Sequence, residues 1–257
     1  MNINAHRSTT LLAYYRQIST ELFTVVDLET TGAKSDRDRI IEIAVVQATL
    51  KDGIQQTLTD LIDPQIPLPE QITQLTGLTD AKLVGSESAD KVLPKYLPTL
   101  QTGILTAHNI GFDHAFLQQE YQRMGLEFQA SAKLCTVQLS RLLLPNLPSR
   151  SLPKLVKHYG FDVGKSHRAE SDALACWLLL QKLLTQILQT SDEQIMALFG
   201  HQWLSPEDAA TILQLPISEV TELLTTSKVK SRFSRHRQIN LYQRRGIESL
   251  LSNTGSC

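Results

Sequence analysis

Apolar and polar positions change period several times along the chain, and the changes mark out its elements. Phe23 to Glu29 (FTVVDLE), Arg39 to Leu50 (RIIEIAVVQATL) and Gln55 to Ile62 (QQTLTDLI) are rich in β-branched residues. Turn formers at Thr31-Gly32 and Lys51-Asp52-Gly53 separate them, so they predict three consecutive antiparallel strands. The pattern then predicts a helix around Ala89 to Leu100, a strand over Gly103 to Ala107, a helix over Phe112 to Met124, a strand over Lys133 to Thr136, and helices onward to Thr190. In the last helix Ala169, Ala173, Cys176, Trp177, Leu180, Leu184, Ile187 and Leu188 recur at three- and four-residue intervals, a stripe suited to docking on a sheet. Strands followed by alternating helices and strands predict a mixed α/β class.

Past this helix the sequence changes character. Gln189 to Gln202 is polar and carries Gly200, which places a linker over 191–204. Ser205-Pro206-Glu207-Asp208 is a helix start, with Ser as cap, Pro at the first helical position and an acid three residues after the cap. Ile217 to Thr225 predicts a second short helix with Val220, Leu223 and Leu224 for a small core. The expected organisation is a lead segment over 1–21, a main domain over 22–190, the linker, and a small basic unit over 205–257.

The chain has 257 residues, enough for one full core and a smaller second unit. With 42% hydrophobic and 20% charged residues it has a globular composition. The longest apolar run, Ala173 to Leu180, falls well short of the ~20 residues of a membrane span, and no signal-peptide core precedes Thr20. Cys135, Cys176 and Cys257 are too widely spaced for a zinc set and are expected to be reduced thiols of a cytoplasmic protein. Net charge is -1, but Lys228 to Arg245 holds seven Lys and Arg residues and no acid. Lys228, Lys230, Arg232, Arg235, Arg237, Arg244 and Arg245 are therefore expected to anchor nucleic-acid phosphates. The acids Glu219 and Glu222 on the second helix leave it no evident donor for reading guanine in a major groove.

Four acids stand out by position. Side chains alternate along a strand, so Asp27 and Glu29 share one face about 7 Å apart. Asp172 borders the buried stripe of the long helix, where a charge needs a cation or a hydrogen-bond network. Asp113 falls in the first turn of the helix after the fourth strand. Taken singly, each has an ordinary explanation: a solvated strand end, a structural Asp satisfied by backbone or Arg168, or an acid favoured by a helix dipole.

Together they carry a resemblance. D-L-E-T-T-G at Asp27 to Gly32, A-H-N-I-G-F-D at Ala107 to Asp113 and H-R-A-E-S-D-A at His167 to Ala173 resemble the three ordered motifs of the DEDDh 3′-5′ exonucleases, with support from L-T-G-L-T at Leu75 to Thr79 and L-C-T at Leu134 to Thr136. The likeness covers roughly Leu22 to Ile187. The sister branch has Tyr four residues before the last Asp; Arg168 stands there, and His167, one residue earlier, matches the histidine branch.

The resemblance implies a ribonuclease H-like mixed sheet flanked by helices; separately, the order of elements past Ser205 resembles an excisionase-like helix-turn-helix, which would make a small C-terminal helical or winged-helix unit. The exonuclease resemblance also implies release of 5′-mononucleotides from a 3′ end, with two Mg²⁺ or Mn²⁺ ions held by Asp27, Glu29, Asp113 and Asp172. His167 would be the general base, and the backbone around Leu28 and Thr30 would face the terminal nucleotide. DNA is the favoured substrate, with an RNA-trimming enzyme or a non-catalytic binding module on the same fold as alternatives. The family's proofreading subunits work with a DNA polymerase, which makes one a partner to test. His108 and His158 read as structural.

Overall fold

The computed structural model describes residues 3–164 and 166–254. After a 3-10 turn at Ile3–Ala5, the elements are α1 (Ser8–Ile18), β1 (Phe23–Thr30), β2 (Ile40–Thr49), β3 (Gly53–Leu61), α2 (Glu70–Thr76), α3 (Asp80–Leu83), α4 (Ala89–Leu100), β4 (Ile104–Ala107), α5 (Ile110–Arg123), β5 (Ala132–Cys135), α6 (Thr136–Leu143), α7 (Leu152–Tyr159) and α8 (Ala169–Gln189). There follow α9 (Asp192–Phe199), β6 (Trp203–Leu204), α10 (Pro206–Leu213), α11 (Ile217–Thr226), β7 (Ser231–Ser234), β8 (Ile239–Gln243) and α12 (Arg244–Thr254). They form two compact units, one of Ser19–Val137 with Ser149–Lys182, the other of Met1–Ile18, Gln138–Pro148 and Leu183–Cys257.

The first unit is built on a five-stranded sheet of order β3-β2-β1-β4-β5. The β1–β2 and β2–β3 pairs are antiparallel, as the short turns between them require, while β1–β4 and β4–β5 are parallel. The central strand β1 is buried throughout except at Asp27, which is half-buried. Val26 and Leu28 pack on one face with Val92, Leu93 and Tyr96 of α4 and Phe116, Leu117 and Tyr121 of α5. On the other face Phe23 meets Trp177 of α8 at 6.2 Å between ring centroids. The apolar stripe of α8 is buried as its spacing predicts, apart from Leu188, which is exposed.

The parallel β1–β4 pairing ends at Val25 and Thr106, and β4 itself ends at Ala107. The last residues of β1 therefore run past the carboxyl end of β4, the end of the strands at which open α/β sheets place their ligands. Asn109, at φ 86°, makes the sharp turn from β4 into α5. Asn tolerates that left-handed conformation better than most residues.

The second unit has its own core of Leu204, Ala209, Ile212, Leu213, Val220, Leu224, Tyr242, Ile247 and Leu250. Its small sheet has the order β6-β8-β7. The helix start at Ser205 is a complete capping box with Asp208. The stretch 191–204, read from the sequence as a linker, carries α9 and β6, and the lead segment carries α1. In α1 Leu11, Leu12, Tyr15 and Ile18 form the buried face, and Tyr15 packs edge-on to Phe199 of α9.

Arg244 corrects one expectation. It is fully buried, its guanidinium held by Gln202 at 2.7 and 2.9 Å, by the His6 carbonyl and by Glu248 at 3.1 Å, so it braces this unit and has no surface to offer a phosphate. Cys135 and Cys176 are free thiols, and Cys257 lies outside the described residues. No helix among the described residues is long and apolar enough to cross a membrane.

Candidate active site

Each acid reaches the carboxyl end of β1 for a local reason. Asp27 and Glu29 alternate with core-facing Val26 and Leu28, and so lie on the face of β1 that α8 covers. A register shift between Glu29 and Thr30 ends the regular β1–β2 pairing. Such a shift re-aims neighbouring side chains. Asp113, 4% exposed in the first turn of α5, has its own backbone amide and that of Leu28 near enough to favour its charged form. Asp172 lies in the first turn of α8, and its Oδ2 accepts the His167 backbone N–H at 2.9 Å. His167 has φ 62°, a conformation that a non-glycine residue keeps only when its surroundings impose it.

Three segments far apart in sequence thus converge. One ligand atom from each of Glu29, His167 and Asp172 lies within 4.8 Å of the others. Asp27 sits among the acids: after burial, Asp113, Asp172, Glu29 and Glu42 each raise its pKa, which stands well above the usual carboxylate range. Burial first, then Asp172 and Glu42, push Glu29 up to about 7, with Arg168 acting the other way. Burial lifts Asp113 to about 8 against the pull of the two nearby backbone amides, and Glu29 adds to the lift. Asp172 is raised too, chiefly by burial. Carboxylates gathered in this way repel one another, and Arg168, paired to Glu42, offsets only part of their charge. A hard divalent cation fits a donor set of carboxylate oxygens.

These shifts set a pH dependence. A carboxyl whose folded pKa is raised binds its proton more tightly in the native state, so its contribution to stability is present near pH 4 and is lost as pH rises through about 7 and 8. Melting in chelator should therefore show stability falling from pH 5.5 to pH 8, whereas added Mg²⁺ should stabilise more at pH 8, because it binds the deprotonated acids. Greater stability of the chelated protein at pH 8 than at pH 5.5 would contradict this assignment.

Sequence reasoning did not single out Glu42. In the antiparallel register it lies opposite Glu29, and it is fully buried. Arg168 grips it from Nε at 3.1 Å to both oxygens and from Nη2 at 2.7 Å, and the Ala169 N–H donates at 3.1 Å. The residue between His167 and α8 is thereby pinned to β2, and Arg168 serves Glu42 and not Asp172. The readable signal was the strand register, since two carboxylates side by side need a cation. Arg168→Ala should cost about 2 kcal/mol in urea denaturation, less than the ~3–5 of a wholly buried pair because Arg168 is 40% exposed. Adding Glu42→Ala should recover part of that loss by removing the stranded carboxylate, and a double variant weaker than the single one would show that the ion pair is not the cause.

The other expected site residues divide clearly. Leu28 and Thr30 are buried. The Leu28 side chain belongs to the core and the Thr30 hydroxyl donates to the Gly32 carbonyl at 2.6 Å, which leaves their backbone as the part that can face a ligand. His108 is held between Thr136 Oγ1 at 2.9 Å and the Arg150 carbonyl at 2.8 Å. In the second unit Lys228, Lys230, Arg232, Arg235, Arg237 and Arg245 are exposed, unlike Arg244.

Comparison with known proteins agrees with this geometry. The chain belongs to the exonuclease family, whose model, described as "Exonuclease", matches residues 24–180. That family is one of hydrolytic nucleases. Among relatives, the PolC-type DNA polymerase III of Clostridium perfringens is 33% identical over 199 residues, 77% of this chain and 13% of that protein. The chain thus spans about an eighth of the length of this relative. Among solved structures, Exonuclease X in complex with 5′ overhanging duplex DNA shares the fold with TM-score 0.54 at 24% identity, over 69% of this chain and 99% of that one. The nuclease domain of 3'hExo, a DEDDh family member bound to rAMP, does so with TM-score 0.56 at 19% identity, over 65% and 93%.

Proposed function

We propose that the chain removes nucleotides one at a time from the 3′ end of a DNA strand and releases 5′-mononucleotides, using two Mg²⁺ or Mn²⁺ ions. The observation that carries this reading is the convergence of Asp27, Glu29, Asp113, His167 and Asp172 at the carboxyl end of the central strand β1, with carboxyl pKa values raised by burial and mutual repulsion. Asp27, central among the acids, would hold both ions, Glu29 and Asp172 would hold one with it, and Asp113 would serve the other. When bound, such ions polarise the phosphate and offset charge on the attacking and leaving oxygens. His167, fixed by its backbone N–H on Asp172, would take the proton of the attacking water through its imidazole. The Leu28 and Thr30 backbone would line the place of the terminal nucleotide.

DNA is favoured because the relatives matched here are DNA polymerases by name, which also motivates a polymerase as partner. The neighbour bound to rAMP favours RNA trimming as the second reading. We assign catalysis to 22–190 and nucleic-acid anchoring to the basic unit at 205–257, whose order of two helices, hairpin and helix supports a winged-helix reading. Matched DNA and RNA strands, digested after chelation and then with Mg²⁺ or Mn²⁺ restored, test the proposal. DNA should shorten faster than RNA and only with metal. Equal cutting in chelator would overturn the metal assignment, and faster loss of RNA would move the substrate to the second reading.

A further inference from the structure

Charge in the second unit is segregated by element. From Pro206 to Ser227, across α10 and α11, the chain carries Glu207, Asp208, Glu219 and Glu222 and no Lys, Arg or His. From Lys228 to Arg245 it carries only positive charge. Glu219 and Glu222 are exposed on α11, so that helix presents acids to anything that approaches it. Phosphates are repelled there, and neither acid can donate to guanine.

The hairpin of β7 and β8 is the opposite surface. Lys228 and Lys230 lead into it, Arg232 lies on β7, and Arg235 and Arg237 occupy its turn. All five side chains are exposed and none has an acidic partner among the described residues. Successive β7 side chains point to opposite faces. Arg232 lies over the Trp203 ring, 4.6 Å from its centroid, which orders that guanidinium. Phe233, on the other face opposite Asn240, is 57% exposed. A large aromatic ring left in water among unpaired cations needs a partner that is apolar in its flat face and anionic along its backbone. A single-stranded nucleic acid has both properties, since its bases are free to stack, whereas a duplex hides its base faces and offers mainly phosphates.

We propose that this hairpin, and not the helix pair before it, docks single-stranded nucleic acid, with Phe233 stacking on a base and Lys230, Arg235 and Arg237 meeting phosphates. The inference rests on the reading that the basic unit anchors nucleic acid, and it names the strand state and the element that binds it.

Binding and catalysis separate in the test. The 257-residue chain in chelator is titrated with a dT oligonucleotide and with a blunt duplex of equal length over a series of salt concentrations. Phe233→Ala should weaken single-strand binding about 5- to 150-fold at every salt concentration, as loss of one stacked base predicts, without changing the salt slope or duplex affinity. Arg235→Gln with Arg237→Gln should instead flatten the single-strand slope by about 1.4, or ~0.7 for each lost phosphate contact. Phe233→Trp should restore binding, and as the side chain is already in solvent, melting of all variants should match wild type. Unchanged single-strand binding by Phe233→Ala would overturn the stacking role, as would equal losses on strand and duplex. Unchanged binding by the arginine variant would remove the hairpin from the interface. Hydrolysis of the same strand by wild type in Mg²⁺ is measured alongside, so that an inactive enzyme indicts the catalytic reading and not the docking surface.

Discussion

Asp27→Ala should reduce exonuclease turnover by about 10³-fold or more, because it removes the acid at the centre of the cluster and with it several kcal/mol of transition-state charge stabilisation. The same change should raise the melting temperature in chelator. Asp27 is raised by burial and by four neighbouring carboxylates, so its removal relieves repulsion that the folded state otherwise carries. Lower activity together with higher metal-free stability distinguishes a functional acid from a structural one. Loss of both activity and stability would instead make Asp27 part of the scaffold. Single-turnover rates and calorimetry on one preparation supply both readouts.

His167→Asn should lower kcat by about 10²- to 10⁴-fold with Mn²⁺ binding retained, since general-base catalysis is worth roughly that much. Asn suits the position: it tolerates the positive φ of residue 167, and the backbone N–H that holds Asp172 Oδ2 is kept whatever the side chain. The wild-type fall in rate on the acid side should disappear along with the imidazole. A variant with wild-type rate and pH profile would mean that another group removes the proton.

The parts of the fold that sequence makes legible depend on local signals. The β1–β3 strands, α4, α5 and the stripe of α8 follow from alternation, three- and four-residue spacing and turn residues. Motif order pointed to Asp27, Glu29, Asp113, His167 and Asp172, and the structure brings ligand atoms of Glu29, His167 and Asp172 within 4.8 Å of one another, with Asp27 and Asp113 close enough to shift the titration of the cluster. Other features depend on residues far away in the chain. The apolar face of α1 is readable at Leu11, Leu12, Tyr15 and Ile18, but its packing against Phe199 is nearly 200 positions off in sequence. Arg244 looks like one more cation in a basic run until Gln202, the His6 carbonyl and Glu248 surround it; Glu248, four residues on, was the one local hint. Glu42 and Arg168 are 126 residues apart, and only the pairing of β1 with β2 brings Glu42 opposite Glu29 and creates the need for a cation.

Direction of attack on an end-labelled strand tests the central claim most directly. With 5′-labelled DNA and Mg²⁺, the labelled strand should shorten stepwise into a ladder, the products should be 5′-mononucleotides, and chelator should stop the reaction. Release of the 5′ label as a mononucleotide at the earliest times, before any ladder forms, would contradict a 3′-5′ exonuclease.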